Sequence, residues 1–178
     1  VKKAFFLAAC AALYLMCRDA YYIGFFNDDA FYIIGARSLL EGRYAELNAP
    51  GTPPLVNYLP GFSLLLAPVA ALAGQSLWPY QLAAMGLMIA GLGWFALLAT
   101  ALTPQAPLAA LALAALPPLT VRLSGAVLSV VPMFAASMAA LYWAERIWKK
   151  DSLADWLPLA CLLGFACLLR PTGAALPV

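Results

Sequence analysis

Apolar residues in this chain gather into long stretches, several near or beyond the roughly 20 residues that span hydrocarbon, with Pro and polar residues between them. Residues 77–102, 107–123, 126–144 and 153–169 read as spanning helices. Residues 61–73 are equally apolar but only about 13 residues long, which suits an interfacial or re-entrant helix. The first apolar run starts at Ala4 and is interrupted by Arg18 and Asp19. Residues 4–25 fit one tilted helix with those charges near its far interface, where charge is tolerated. A signal peptide is not expected: only Ala4, Phe5 and Phe6 separate Lys3 from the box Leu7-Ala8-Ala9-Cys10, too few for a signal core.

Residues 27–60 break the pattern with mixed polar, aromatic and Pro/Gly-rich sequence, the one sizeable extramembrane loop. Asn27 suits an N-cap, Asp28 and Asp29 favour a first turn, and Gly42 suits a helix end, so residues 28–41 are expected to be helical. Arg37 and Glu41 then share a face. Ala49-Pro50-Gly51-Thr52-Pro53-Pro54 is a turn-rich crossing.

Composition makes the bilayer decisive: hydrophobic residues are 65% of the 178, and charged residues only 10%. A chain this short cannot hide so much apolar surface from water, which excludes a soluble enzyme, a disordered tail and a nucleic-acid binder. A net charge of +2 gives no case for a polyanionic partner. With Lys2 and Lys3 cytoplasmic, the cluster Arg146, Lys149 and Lys150 is cytoplasmic too, provided residues 61–73 do not cross. The 27–77 loop and Arg170 then share the extracytoplasmic face. Gly86 with Ala90, and Ala109, Ala112 and Ala115, are expected to let helices approach closely. Cys10, Cys17, Cys161 and Cys167 lie in apolar runs and read as small core residues. The expected architecture is all-α: one polytopic membrane domain, with residues 27–77 as its extracytoplasmic loop.

The chain has no histidine, so carboxylates must carry any proton transfer. Asn27-Asp28-Asp29 at a membrane boundary is the sharpest feature, since adjacent carboxylates beside lipid are costly unless paired, capped or used. A charged helix start accounts for the dipeptide as readily as a catalytic role. Arg170, between Leu169 and Pro171, lies at a depth where an arginine has a partner or an anionic ligand. Arg43 and Arg122 are weaker candidates, explained by solvation beside Gly42 and by snorkelling from a span end. Asn57 and Tyr58 suit sugar hydroxyls, although aromatic belts place tyrosine at the interface without a ligand. No ligand cluster is present, so neither a metal nor a cofactor is expected.

Three stretches carry a resemblance: Asp28-Asp29-Ala30-Phe31-Tyr32; Ala36-Arg37-Ser38-Leu39-Leu40-Glu41-Gly42-Arg43-Tyr44; and Asn57-Tyr58-Leu59-Pro60-Gly61 running on to Pro68. In order and spacing they resemble the first extracytoplasmic loop of GT-C membrane glycosyltransferases, the superfamily of dolichyl-phosphate-mannose mannosyltransferases and aminoarabinose transferases. Leu128-Ser129-Val130-Val131-Pro132-Met133-Phe134 and Gly164 to Gly173 also look like family elements. The sequence departs from relatives at Leu59, where a proline is common, and at Val131, where a polar residue is common.

The resemblance implies transfer of a sugar from a polyprenyl-phosphate donor to a lipid, glycan or protein acceptor, usually with inversion. It implies Asp28 as general base, with Asp29 positioning the acceptor or taking that role. A lipid-phosphate leaving group needs a cation, for which Arg170, Arg43 and Arg122 are candidates in that order. It also implies a multi-pass protein of a bacterial inner membrane with its N-terminus cytoplasmic. Relatives have roughly twice the number of spans found here by length, so the chain is expected to be the N-terminal part of a longer module, and such a fragment need not be active alone. The rival classes are a lipid-linked sugar transporter or flippase and a non-catalytic assembly subunit. Mid-span polar residues, the mark of a transport path, are almost absent from 77–102.

Overall fold

A computed structural model describes residues 1–18, 24–74, 76–150 and 153–170. They form eight helices: α1 Lys2–Met16, α2 Asp28–Leu40, α3 Pro60–Ala73, α4 Trp78–Leu102, α5 Pro107–Ala115, α6 Pro118–Leu123, α7 Val130–Lys150 and α8 Leu153–Leu169. The described residues are all-α; their only strand-like feature is an isolated bridge between Ala45 and Pro54. The Trp78–Leu102 helix is long and apolar enough to cross a membrane, and Pro60–Ala73 and Leu153–Leu169 are shorter apolar helices.

The closest-packed pairs are α4 with α7, α2 with α3, and α7 with α8. α1 and α4 run antiparallel. Lys3 bonds Thr100 near the end of α4, while Arg18 lies 4.3 Å over the Trp78 ring and donates to Gln81 at 3.1 Å near its start. α7 follows α4 in the same sense, with Gly91 against Phe134 and Trp94 against Tyr142. One core cluster joins Tyr32, Phe62, Leu66, Tyr80, Val127 and Leu169. A second gathers Cys10, Tyr14, Leu92, Leu111 and Val131.

Several elements depart from the pattern's prediction. The first helix ends at Met16, well short of residue 25, and residues 24–26 form a turn around Gly24. Arg18 leaves the helix to reach Trp78 and Gln81, and Asp19 lies outside the described residues. The 107–123 stretch is two helices, because Pro117 and Pro118 cannot continue the α5 hydrogen-bond ladder. The 126–144 stretch starts at Val130 rather than residue 126, and runs past Ala144 to Lys150. Asn27 stands at the α2 N-cap but has φ 64° and makes no side-chain cap. Gly42, at φ +75°, closes the helix as expected, its N–H reaching the Leu39 carbonyl.

Arg37 does not meet Glu41; it donates to the Gly74 carbonyl at 3.1 Å and to the Tyr80 hydroxyl at 3.5 Å, tying α2 to the α3–α4 corner. Gly86 and Ala90 are exposed, so close approach on α4 falls at Gly91 instead. Of the cysteines only Cys10 is buried; Cys17 and Cys161 are exposed and Cys167 is intermediate.

The break between α5 and α6 frees the Ala115 carbonyl, which an unbroken helix would have bonded internally. The Tyr14 hydroxyl donates to that carbonyl at 2.7 Å, with Tyr14 fully buried. A side chain from α1 thus satisfies the backbone group that the prolines orphan, the condition for tolerating such breaks in apolar surroundings.

Candidate active site

The site forms where the starts of α2 and α3 meet the end of α8. A tight turn feeds α2: the Asn27 N–H bonds the Gly24 carbonyl at 3.1 Å, and the Asp28 N–H bonds Phe26 at 2.8 Å. Two carboxylates then occupy the first turn, where the helix dipole favours negative charge. Consecutive residues on a helix point about 100° apart, and the pair divides accordingly. Asp28 is half-buried and faces a cleft, whereas Asp29 is fully buried. Asp29 Oδ1 accepts the Ala30 N–H at 2.8 Å, and its Oδ2 is buried with no hydrogen-bond partner.

The 57–61 segment closes the cleft from the side. Its approach depends on Gly61: a Cβ there would sit 2.5 Å from the Leu168 carbonyl oxygen. The bare α-carbon lets α3 start against the backbone at the end of α8, which carries Arg170. Asp28, Tyr32, Asn57, Tyr58, Leu59, Leu169 and Arg170 thereby line a cavity of about 280 Å³. The Tyr58 hydroxyl donates to Asp28 Oδ1 at 3.2 Å. Its ring stacks on Phe31 at 4.6 Å and meets Tyr32 edge-on at 5.6 Å.

Burial pushes the Tyr58 hydroxyl above its ordinary pKa, and the Asp28 charge adds to the shift. Tyr32 is raised by burial as well, with Asp28 adding to it while Ser129 and Arg170 pull it back. Both phenols are therefore neutral donors at neutral pH. A carboxylate that can accept a proton and a guanidinium that can hold an anion line one small cleft, with aromatic and apolar walls between them.

Of the residues that the sequence singles out, Asp28, Asn57, Tyr58 and Arg170 come together. Asp29 lies behind them without lining the cavity. Arg43 stands apart, in an exposed ion pair with Glu41, and Arg122, on the exposed end of α6, does not line the cavity either. Sequence reasoning missed Tyr32, although its signal was present: four residues after Asp28 on a helix, it shares that residue's face. Leu169 and Ser129 carried no such signal. Cavities along α5 and at the α7–α8 end are lined by apolar and aromatic side chains. Among the described residues no group of three or more Cys, Asp or Glu converges as metal ligands would.

Residues 52–178 match the family model described as dolichyl-phosphate-mannose-protein mannosyltransferase. The chain belongs to that family. The mannosyltransferase family makes it a membrane glycosyltransferase, and the apolar α4 is compatible with membrane residence. The matched region contains Asn57, Tyr58, Arg122 and Arg170, while Asp28, Asp29 and Arg43 precede it. No curated protein and no solved structure matches the chain significantly.

Proposed function

We propose that this mannosyltransferase-family protein moves a sugar from a polyprenyl-phosphate donor to an acceptor hydroxyl, with inversion, in the cleft between Asp28 and Arg170. The supporting observation is that cleft itself, where a half-buried carboxylate and an arginine line one cavity beside neutral phenols. Asp28 takes the acceptor proton as the acceptor oxygen attacks the anomeric carbon. The bond from that carbon to the phosphate oxygen breaks, and the electron pair leaves with the lipid phosphate. Arg170 holds the phosphate as its charge grows, so no general acid is required. Asn57, exposed on the rim, is placed to meet sugar or acceptor hydroxyls.

The same reading supplies an orientation. One membrane domain carries residues 27–77 as an extracytoplasmic loop, with α1, α4, the α5–α6 pair, α7 and α8 passing between the two faces. The supports are the antiparallel run of α1 and α4, and the cations Lys2, Lys3, Lys149 and Lys150 at the end remote from the cleft. A bacterial plasma membrane is the proposed location, with the polyprenyl chain of the donor in the lipid beside the bundle and a lipid, glycan or protein as acceptor.

Asp28→Asn, assayed for transfer from a labelled polyprenyl-phosphate sugar in membranes carrying the whole protein, tests the reading. A fall of about 10²–10⁴-fold at normal membrane insertion is expected, the range that a general base supplies. Unchanged transfer removes Asp28 from the mechanism, and unchanged lipid-sugar translocation alongside lost transfer shows that the defect lies in transfer rather than in translocation.

A further inference from the structure

Tyr58 is a candidate for substrate hydroxyls by sequence, and in the structure its hydroxyl donates to Asp28 Oδ1 at 3.2 Å. We propose that Tyr58 is a positioning residue, which fixes the plane of the Asp28 carboxylate and presents Oδ2 as the oxygen that takes the acceptor proton. This rests on Asp28 being the base.

A carboxylate near the start of a helix turns about its terminal torsion in a broad, roughly two-fold well. A single donor on one oxygen narrows that freedom, and it leaves the other oxygen to the substrate. Tyr58 can supply such a constraint only if it is itself held, and α2 provides the grip. Asp28, Phe31 and Tyr32 are spaced i, i+3 and i+4, so they share one face of the helix. Phe31 stacks on the Tyr58 ring with an interplanar angle of 16°, and Tyr32 meets the ring at 82°. One helical turn therefore carries the base and both walls that clamp the side chain bonded to it.

The other end of this arrangement is equally fixed. Tyr58 lies three residues before Gly61, whose α-carbon rests against the backbone of Leu168 and Leu169. The next residue, Arg170, keeps its N–H on the Ala166 carbonyl at 3.2 Å. The segment from Tyr58 to Gly61 thus links the carboxylate on α2 to the guanidinium after α8. A base and an anion-holding group must face opposite sides of the anomeric carbon for inversion. Tyr58 is the residue that touches the one and is anchored beside the other.

The phenol keeps its proton well into the alkaline range, because burial and the Asp28 charge both disfavour the phenolate. The phenol is consequently protonated, and able to donate to Oδ1, at neutral pH.

Tyr58→Phe keeps the ring stack and deletes only the hydroxyl. In membranes carrying the whole protein, kcat is expected to fall about 10–100-fold, the scale of a misplaced reacting group, while KM for donor and acceptor stays within about twofold. In an Asp28→Asn background the same change is expected to cost nothing further, since there is no base left to orient. A raised KM with kcat intact would overturn the proposal and return Tyr58 to sugar binding. Full additivity of the two substitutions would overturn it as well. The underlying reading fails separately, through an Asp28→Asn protein that transfers normally. Should Tyr58→Phe prove unstable, Tyr58→Trp, which retains an aromatic stack but offers its N–H from another position, is expected to show the same loss of kcat; wild-type kcat in Tyr58→Trp overturns the proposal.

Discussion

Asp28 and Asp29 are neighbours in sequence and opposites in environment. Asp28 faces a cleft and takes a hydrogen bond from a phenol, whereas Asp29 is sealed, with one oxygen on the Ala30 N–H and the other unpartnered. A buried charge with an unpartnered oxygen costs free energy, and neutralising it removes the share of that cost due to the charge. Asp29→Asn is therefore expected to leave transfer within about threefold and stability unchanged or higher, in contrast to Asp28→Asn. A loss with Asp29→Asn as deep as with Asp28→Asn would move the base role to Asp29. The phenol of Tyr58 gives a second residue-level expectation. Its folded pKa is raised, so the neutral form is favoured on folding, and the stability this contributes is present below the ordinary value of 10.0 and lost as pH climbs through the raised one. Phenolate absorbance, taken as the difference between the protein and Tyr58→Phe, is expected to appear above pH 10; a component titrating lower would contradict the burial of that ring. The acidic pair and Arg170 were legible in sequence because charge is conspicuous in apolar surroundings. The bond between Tyr58 and Asp28 was not, since it spans thirty positions and depends on how two loops fold.

At the scale of elements, apolar runs gave α3, α4 and α8 nearly residue for residue and helix-end signals did the same for α2, while the runs misjudged α1, the α5–α6 pair and α7 for identifiable reasons. Hydrophobicity measures suitability for lipid, and it is blind to a missing N–H. The run 107–123 is largely apolar, yet its two prolines split it, and Tyr14 reaches across from α1 to the carbonyl that the split frees. Tyr14→Phe should destabilise the protein by about 1–2 kcal/mol, the cost of an orphaned carbonyl in an apolar interior, read as a lower midpoint in detergent unfolding. An unchanged midpoint would mean that the α5–α6 break satisfies itself. Gly61 makes the complementary point about approach. Its absent side chain brings α3 against backbone atoms of α8, which cannot rotate out of the way. Gly61→Ala is expected to push the 57–60 segment from Arg170 and to lower transfer by about 10²-fold without touching a reactive group. Normal activity in that variant would show that the cleft tolerates a wider separation of its walls.

The whole molecule is organised by where its charges can rest. Lys2 and Lys3 open α1, and Lys149 and Lys150 close α7. Arg146 of α7 pairs with Asp155 of α8 at 3.3 Å, at that same end. The opposite end holds Arg18, Asp28, Arg37, Arg43 and Arg170, so the bundle is polar at both ends and apolar between. In the proposed orientation the basic cluster and the acidic loop take opposite faces, separated by apolar helices whichever of them span completely. What sequence could not assign was the depth of each helix, which depends on the breaks at Cys17, Pro117 and Val130. A membrane-impermeant maleimide offers a direct measurement against a background with the native cysteines replaced. A cysteine at Asn48, exposed in the loop, is expected to react in intact cells, whereas one at Lys150 is expected to react only after permeabilisation. The reverse pattern would put the Asp28–Arg170 cleft on the cytoplasmic side. Reaction at both positions in intact cells would show that the described helices do not separate the two ends across a bilayer, and the proposed orientation would fall with it.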